Sequence, residues 1–379
     1  MIKIIDKKKC CGCSACFSVC PKGSISFSQD NEGFFYPTVN LETCIDCHLC
    51  EKVCPYNNFH KRKPVKAFAF VHKDDKVHKN SSSGGAFYAL ASYFLNSNGI
   101  VYGAQFSQDF QVETTCVNKI EDLSKIMGSK YVQSNLNVTF TSIRAQLNAG
   151  EKVLFCGTPC QVKGLLSFLR KKYNNLYTVD FACHAIASPK VWEKYLSEVS
   201  NGRQISNVTF RDKEIDGWHN YALKISSIDK GQEVIDVAEG NHDNLFMEGF
   251  LSNLYCRPSC SKCPARNYSS GSDFTLADFW HVEKYHKDKI FNQNDGVSLL
   301  IDYGLNSNVV NILREHGSVS EVALSEIEDH NVHGCLTGRI KHHEMRWIFF
   351  KLIDIGTPVK TDISTCLKVK KIVKKIIRR

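Results

Sequence analysis

A chain of 379 residues, 43% hydrophobic and 23% charged, is long enough to bury a full-sized core and carry a second module. No apolar run reaches the roughly 18 residues that cross a bilayer, and the start, "MIKIIDKKKCC", lacks a secretory signal's apolar segment of about 7–15 residues. Of the nine net positive charges, seven come from residues 368–379, which contain no acid, so the near-neutral body excludes a general nucleic-acid binder. A cytoplasmic location is expected. There, eighteen cysteines argue for metal ligation rather than disulfides.

The chain opens with two copies of C-x2-C-x2-C-x3-C-P: Cys10, Cys13, Cys16 and Cys20 before Pro21, then Cys44, Cys47, Cys50 and Cys54 before Pro55. In such a motif three thiolates from a tight loop ligate one cubane, and the fourth leaves on a short helix to ligate the other. Cys10, Cys13, Cys16 and Cys54 are therefore expected to hold one [4Fe-4S] cluster, and Cys44, Cys47, Cys50 and Cys20 the second. Paired zinc knuckles are the alternative, which the prolines in register disfavour. "SISFSQ" and "FFYPTV" read as short strands around the turn "DNEG". Cys11 falls out of register and reads as a bystander. Residues 1–60 thus form an α+β, ferredoxin-like module that moves single electrons, and the basic, proline-containing 61–66 reads as a linker.

Strand and helix patterns then alternate, as in an α/β domain. "VKAFAFV" (65–71) is a strand candidate. Ser81, Ser82, Ser83, Gly84 and Gly85 precede a helix whose apolar stripe is Phe87, Leu90, Ala91 and Phe94. A helix start of this kind offers unpaired N–H groups and a positive dipole end to a phosphate. A plain capped helix is the bland reading. "GSKYVQS" (128–134) places Ser129, Lys130 and Tyr131 where a cofactor phosphate or ring carbonyl could pair with the lysine.

"KVLFCGTPCQVKGLLSFLRKKY" repeats strand, turn and helix, with Cys160 placed at the strand end; "LYTVDFACH" is a strand running into Cys183. Ser188 and Pro189 read as N-cap and first residue of the next helix. Residues 205–238 look β-rich, and "SDFTLADFW" and "DGVSLLIDYG" are further strands. In an α/β sheet, neighbouring strand ends converge on one edge. Cys160, Cys183 and the pair Cys260/Cys263 would then bring four thiols together. Inert burial is the competing reading for each. "CRPSCSKC" also matches the C-x3-C-x2-C loop of radical enzymes that cleave S-adenosylmethionine, but only 116 residues follow Cys263, too few for the barrel. A structural zinc at "CSKC" is a further alternative.

"SSSGGAF", "GSKYVQS", "LFCGTPCQVKGL", "DFACH", "RPSCSKCP" and "SDFTLADFW", in this order over about residues 65–335, resemble the coenzyme F420 hydrogenase/dehydrogenase beta-subunit family, and the "EGFFYP" bridge resembles members fused to a ferredoxin module. Many members carry glycine where this chain has Ala277. The resemblance implies an α/β flavin-binding domain over 67–335, with FAD held by Ser81–Gly85 and Ser129–Tyr131. It also implies a third cubane on Cys160, Cys183, Cys260 and Cys263, leaving Cys156 and Cys256 unligated. The expected function is an iron–sulfur flavoprotein oxidoreductase. It exchanges electrons with a redox partner protein or small-molecule carrier and with F420 or another organic substrate, surface-polysaccharide synthesis being one setting for the latter. The alternative is an electron-transfer subunit with no substrate chemistry of its own.

His184 and Asp278 are the candidate catalytic groups, with Trp280 beside Asp278. "HGCLTGRIKHHEMRW" (333–347) reads as a solvated helical face, His342 and His343 pointing apart. Residues 336–379 are expected as a helical extension. It ends in a short basic amphipathic helix, whose stripe of Val369, Ile372, Val373 and Ile376 suits peripheral contact with an anionic membrane through 367–379, on the inner face.

Overall fold

The computed structural model describes residues 1–58, 61–284, 291, 294–305, 308–329 and 335–377, with side chains to 370. The N-terminal module is a hairpin of β1 (Ile25–Gln29) and β2 (Phe35–Val39), paired from Ile25↔Val39 to Gln29↔Phe35. Two short helices, α1 (Ala15–Val19) and α2 (Leu49–Lys52), follow the cysteine loops. The loops are backbone copies of each other. Gly12 and Asp46 have φ of 68° and 47°, and Ser14 and His48 have 62° and 59°, so equivalent positions turn left-handed twice. That turning folds three thiols of each loop toward one point.

The larger α/β domain is built on eight strands: β3 (Lys66–His72), β4 (Ile100–Phe106), β5 (Val112–Val117), β6 (Val153–Cys156), β7 (Leu176–Phe181), β11 (Phe274–Asp278), β12 (Ser298–Asp302) and β13 (Gly317–Val322). Their order is β13-β3-β12-β11-β7-β6-β4-β5. Strands β4, β6, β7 and β11 run parallel, and β12 runs against both β11 and β3. The ends of β3, β6, β7 and β11 and the start of β12 therefore share one edge.

Helix α3 (Asp75–Asn80) follows β3 and leads into the serine turn. Helices α4 (Ala86–Asn96), α5 (Thr139–Asn148) and α6 (Pro159–Leu169) cover the sheet. The strand reading of Cys160 is corrected: β6 ends at Cys156, and Cys160 is the second residue of α6. The reason is local. Thr158 and Gln161 form a reciprocal capping box, and Pro159 fits the first helical position. Ser188 does cap α7 (Pro189–Ser200), accepting from the Val191 amide.

A second sheet of β8 (Gln204–Asp212), β9 (Ala222–Asp229) and β10 (Gln232–Gly240), in order β10-β9-β8, packs with α7 and α8 (Leu245–Leu251). The helices Arg346–Ile355 and Val359–Ile377 join this core through Phe349, Phe350, Ile353, Ile363 and Cys366. The first half of the terminal helix is thus built into the domain. Of the proposed basic stripe, Ile372, Val373 and Ile376 lie outside the described side chains. Residues 341–343 are not helical, and His343 is buried, which corrects the solvated-helix reading. His342 Nε2 lies 3.1 Å from the Pro258 carbonyl, so this segment is strapped onto the "CRPSCSKC" turn. His333 and Gly334 lie outside the described residues.

The ferredoxin module is set into the larger domain rather than hung from it. Phe34 and Tyr36 are buried in the core formed by α7, α8 and the second sheet. Arg346 holds Glu32 through both carboxylate oxygens, and Ser188 donates to the Glu32 carbonyl. Arg62, in the linker, donates to the Ser272 carbonyl at 2.9 Å.

Candidate functional site

Cys10, Cys13, Cys16 and Cys54 surround one void of about 20 Å³, and Cys20, Cys44, Cys47 and Cys50 a second of about 20 Å³. The crossed arrangement expected from the spacing is the one in which the thiols stand. Burial pushes the Cys16 thiol far above its ordinary range, because a thiolate without a cation is poorly solvated there. Cys20 goes the other way. Partial burial opposes its ionisation, but the amides of Lys22, Ser24 and Gly23 point at the sulfur and bring the pKa down. Soft thiolate donors in sets of four suit iron–sulfur clusters.

Cys160, Cys183, Cys260 and Cys263 line a third void, of about 40 Å³. Cys160 comes from the start of α6, Cys183 from beyond β7, and the last two from the 3-10 turn Pro258–Lys262 and the residue after it. Burial pushes Cys260 up to about 11 and Cys183 well above its ordinary value. Cys11 also lines this void, and it lines the inner ferredoxin void as well. Cys13 lines the inner void beside it, and Cys160 and Cys263 the third. Cys11 thus stands between the two sets. Cys256 stands apart: it is fully buried in the hydrophobic core and donates toward the Phe250 carbonyl at 3.5 Å.

The sheet edge opens into a cavity of about 300 Å³, at the lower end of the small-molecule range. Ser81, Ser82, Ser83 and Gly85 line it from the end of β3; Ser129, Lys130 and Tyr131 line it from the loop after β5; His184, Asp278 and Trp280 come from the ends of β7 and β11. Cys11, Cys160 and Cys183 are shared with the thiol voids. Gly84 does not line it. A Cβ there would lie 2.1 Å from the Phe70 carbonyl oxygen and 2.5 Å from the Ser298 amide, so glycine lets the turn press on the sheet.

The serine hydroxyls are largely committed. Ser81 donates to the Val77 carbonyl at 2.7 Å, Ser83 to Val297 at 2.6 Å, and Ser82 pairs with Ser129 at 2.9 Å. Gly85, at φ 89°, starts α4 without a cap from its own side chain, and Ala86, Phe87 and Tyr88 of the first turn line the cavity; the Ala86 amide donates to Ser298 Oγ at 3.4 Å. Lys130 donates to the Met127 carbonyl at 2.6 Å; crowded by protein, it is brought down to about 8 by burial.

Arg211, at the end of β8, was not anticipated. It is buried, bonds Asp278 through Nη1 at 2.7 Å and stacks 4.3 Å over Tyr221, while its Nε and Nη2 lack partners. Unpartnered buried donors beside an open cavity fit an anionic or carbonyl-rich ligand. Two residues on, Lys213 donates to the carbonyls of His78 at 2.9 Å, Asp295 at 2.5 Å and Ser83 at 3.5 Å, fixing the serine turn. The only advance signal for either was the charged triplet "RDK" closing a strand. Asp278 is thus held by a guanidinium. For His184, the Asn253 amide donates to the Lys341 carbonyl, so its oxygen faces Nε2 at 2.8 Å and accepts from it. Burial keeps the ring neutral, with Nδ1 as acceptor.

A family model for the C-terminal part of the coenzyme F420 hydrogenase/dehydrogenase beta subunit matches residues 150–329, and one for a 4Fe-4S dicluster domain matches 9–58. Residues 150–329, just under half of the chain, match that beta-subunit family. In front of its family domain it carries a 4Fe-4S ferredoxin domain, and it is an iron–sulfur protein of the oxidoreductase, electron-transfer kind. Its relatives include three proteins of Methanocaldococcus jannaschii. An uncharacterized ferredoxin is 41% identical over 54 residues, 14% of this chain and 69% of the ferredoxin. A coenzyme F420-dependent sulfite reductase is 30% identical over 173 residues, 43% of this chain and 26% of the reductase. A pyruvate synthase subunit is 33% identical over 63 residues, 17% of this chain and 69% of the relative. The chain therefore spans about a quarter of the sulfite reductase it matches. A solved F420-reducing [NiFe] hydrogenase complex from Methanosarcina barkeri aligns with a TM-score of 0.45 at 16% identity, covering 83% of this chain and 92% of that one. Among the described residues no helix is long and apolar enough to cross a membrane.

Proposed function

We propose that this chain is an iron–sulfur flavoprotein oxidoreductase. It carries electrons between an outer cluster on Cys20, Cys44, Cys47 and Cys50, an inner cluster on Cys10, Cys13, Cys16 and Cys54, a third on Cys160, Cys183, Cys260 and Cys263, and FAD in the large cavity. The observation that carries this reading is that Cys11 lines both the inner ferredoxin void and the third void, while Cys160 and Cys183 line both the third void and the cavity. Bound there, a flavin supplies one- and two-electron exchange.

The protein's own residues prepare that exchange. The start of α4, held by Gly84, Gly85 and Lys213, places a positive helix end toward a pyrophosphate, with Lys130 as the neighbouring charge. Arg211 presents two nitrogens, Nε and Nη2, that have no partner among the described residues, and its bond to Asp278 fixes their direction. Trp280, stacked on Trp218 at 4.1 Å, forms a flat apolar wall. His184 borders both the cavity and the third void and can accept a proton at Nδ1.

The substrate in this reading is organic, either F420 or a sugar-linked compound of surface-polysaccharide synthesis. The second reading, an electron-transfer subunit, draws on the sulfite reductase, in which the matching part is one region of a much longer chain. Anaerobic purification with iron, sulfide and flavin counted tests the whole proposal. About twelve irons and one FAD per chain are expected from three cubanes. About eight irons would remove the third cluster, and absent flavin would remove the enzyme. Turnover of F420 by the isolated flavin-loaded chain separates the enzyme from the electron-transfer role.

A further inference from the structure

Arg257 is the second residue of "CRPSCSKC" and is fully buried. Its guanidinium is spent on the ferredoxin module: Nε donates to the Cys10 carbonyl at 3.0 Å, Nη2 to the Phe35 carbonyl at 2.9 Å, and Nη1 to Gln133 Oε1 at 3.0 Å. Nη2 also lies 3.8 Å from Cys10 Sγ. The group stands 4.3 Å over the Tyr36 ring, and a Cβ on Gly12 would come within 3.1 Å of it. Glycine in "CCGC" suits its φ of 68° and the close approach of Gln133 Nε2, at 2.7 Å from such a Cβ, and of the guanidinium to the ligand loop.

Among the described residues no carboxylate pairs with Arg257. A buried charge is costly unless an opposite charge answers it. The outer loop, with the same backbone turns, has no such neighbour among the described residues. Its void is bordered by exposed Cys47, by exposed Lys22 and His48, and by the N-terminal amine, which is itself paired with Asp46 at 2.8 Å and Glu51 at 3.4 Å. Lys9 borders the inner void but is exposed, so solvent and salt screen it.

We propose that Arg257 sets the two ferredoxin clusters apart, holding the inner one at the higher reduction potential by a fixed positive charge against Cys10. This rests on the reading that Cys10, Cys13, Cys16 and Cys54 hold a cluster. Reduction adds one negative charge to the thiolate-bound cluster, and a guanidinium in a low-dielectric wall stabilises that form more than the oxidised one. The gap makes electron transfer from the solvent-facing cluster to the buried one the favourable direction.

The test is an EPR-monitored redox titration of the full chain, purified without oxygen, as wild type, Arg257→Gln and Arg257→Lys, with iron counted in each. In R257Q one ferredoxin midpoint should fall by a tenfold or larger change in its equilibrium, about 59 mV for a one-electron couple. The other midpoint should stay, and R257K should keep both within threefold. Unmoved midpoints in an iron-complete R257Q would overturn the proposal, as would equal shifts in R257Q and R257K, which would mean a packing role only. Should R257Q lose iron, R257K decides alone: a midpoint kept within threefold supports the charge, and a tenfold fall overturns it. Cys54→Ala guards the underlying reading. If it removes no signal present in wild type, the ligand assignment has failed, and not the role of Arg257.

Discussion

Replacing Gly164 by alanine separates local preference from long-range docking. Gly164 lies in the middle of α6, four residues after Cys160, where alanine should raise helix stability by about 1 kcal/mol. Yet a Cβ built there meets Cys13 Cβ at 2.6 Å and Cys13 Sγ at 2.7 Å, about an ångström inside ordinary contact. Cys13 cannot turn aside. It is held in the loop between Gly12 and Ser14, both at positive φ, and its sulfur faces the inner void. Overpacking of a tight interior costs about 1–3 kcal/mol, so the two terms oppose each other and the contact should win. Because the strain falls on one ligand, it should appear as loss of one cluster before loss of fold. The assay is iron and sulfide per chain after anaerobic purification, with EPR of the reduced protein and a thermal melt. About eight irons are expected, with the outer ferredoxin signal and the flavin retained. A G164A protein with full iron and a raised melting temperature would show that the module is not seated on α6, and the docking argument would fall.

Cys263→Ala should likewise lower the iron count by about four while leaving both ferredoxin signals, whereas Cys256→Ala, at a buried position away from every void, should leave the count unchanged. Arg211→Met should abolish flavin retention on a desalting column and destabilise the fold by about 3–5 kcal/mol in chemical denaturation, because Asp278 keeps its charge without a partner. Lys130 is brought down to about 8 by burial, so its cationic form fades as pH rises through that value, and FAD affinity of the flavin-stripped protein should fall between about pH 7 and pH 9. Bound anion raises the lysine's pKa, which moves the loss upward in the complex; fluorescence titration of Lys130→Met should show most of this slope gone. Deleting residues 371–379 spares the buried Ile363, Cys366 and Leu367, and should reduce co-sedimentation with anionic vesicles if the basic end meets a membrane.

What the sequence made legible was whatever is set by spacing along the chain. The ferredoxin cysteines recur at fixed intervals, and the backbone turns that gather them are local, so both rings of thiols could be drawn in advance. Asp278 was reachable for a related reason: it ends one of the parallel strands, whose ends share one edge. The serine turn, after α3, and Lys130, beyond the antiparallel β5, were read only from their local glycine and serine patterns. Cys11, Arg211 and Gly164 were not legible in this way. Cys11 gains its place only because Cys160 is brought to it from far along the chain, and Arg211 only because β8 ends over a sheet to which it does not belong.

The stretch "CRPSCSKC" shows why pattern reading stops there. Its three cysteines at radical-enzyme spacing separate in the fold: Cys256 enters the apolar core, while Cys260 and Cys263 face the third void. The residue between them that no cysteine pattern weighs, Arg257, reaches 247 positions back to Cys10. A ligand loop announces itself by regular spacing because the metal imposes it. A neighbour that tunes the metal needs only to arrive, from any distance in sequence, with the right charge and no competing partner. Such a residue is found by asking which buried cations meet no carboxylate among the described residues, and Arg257, beside the inner thiols, is one of them.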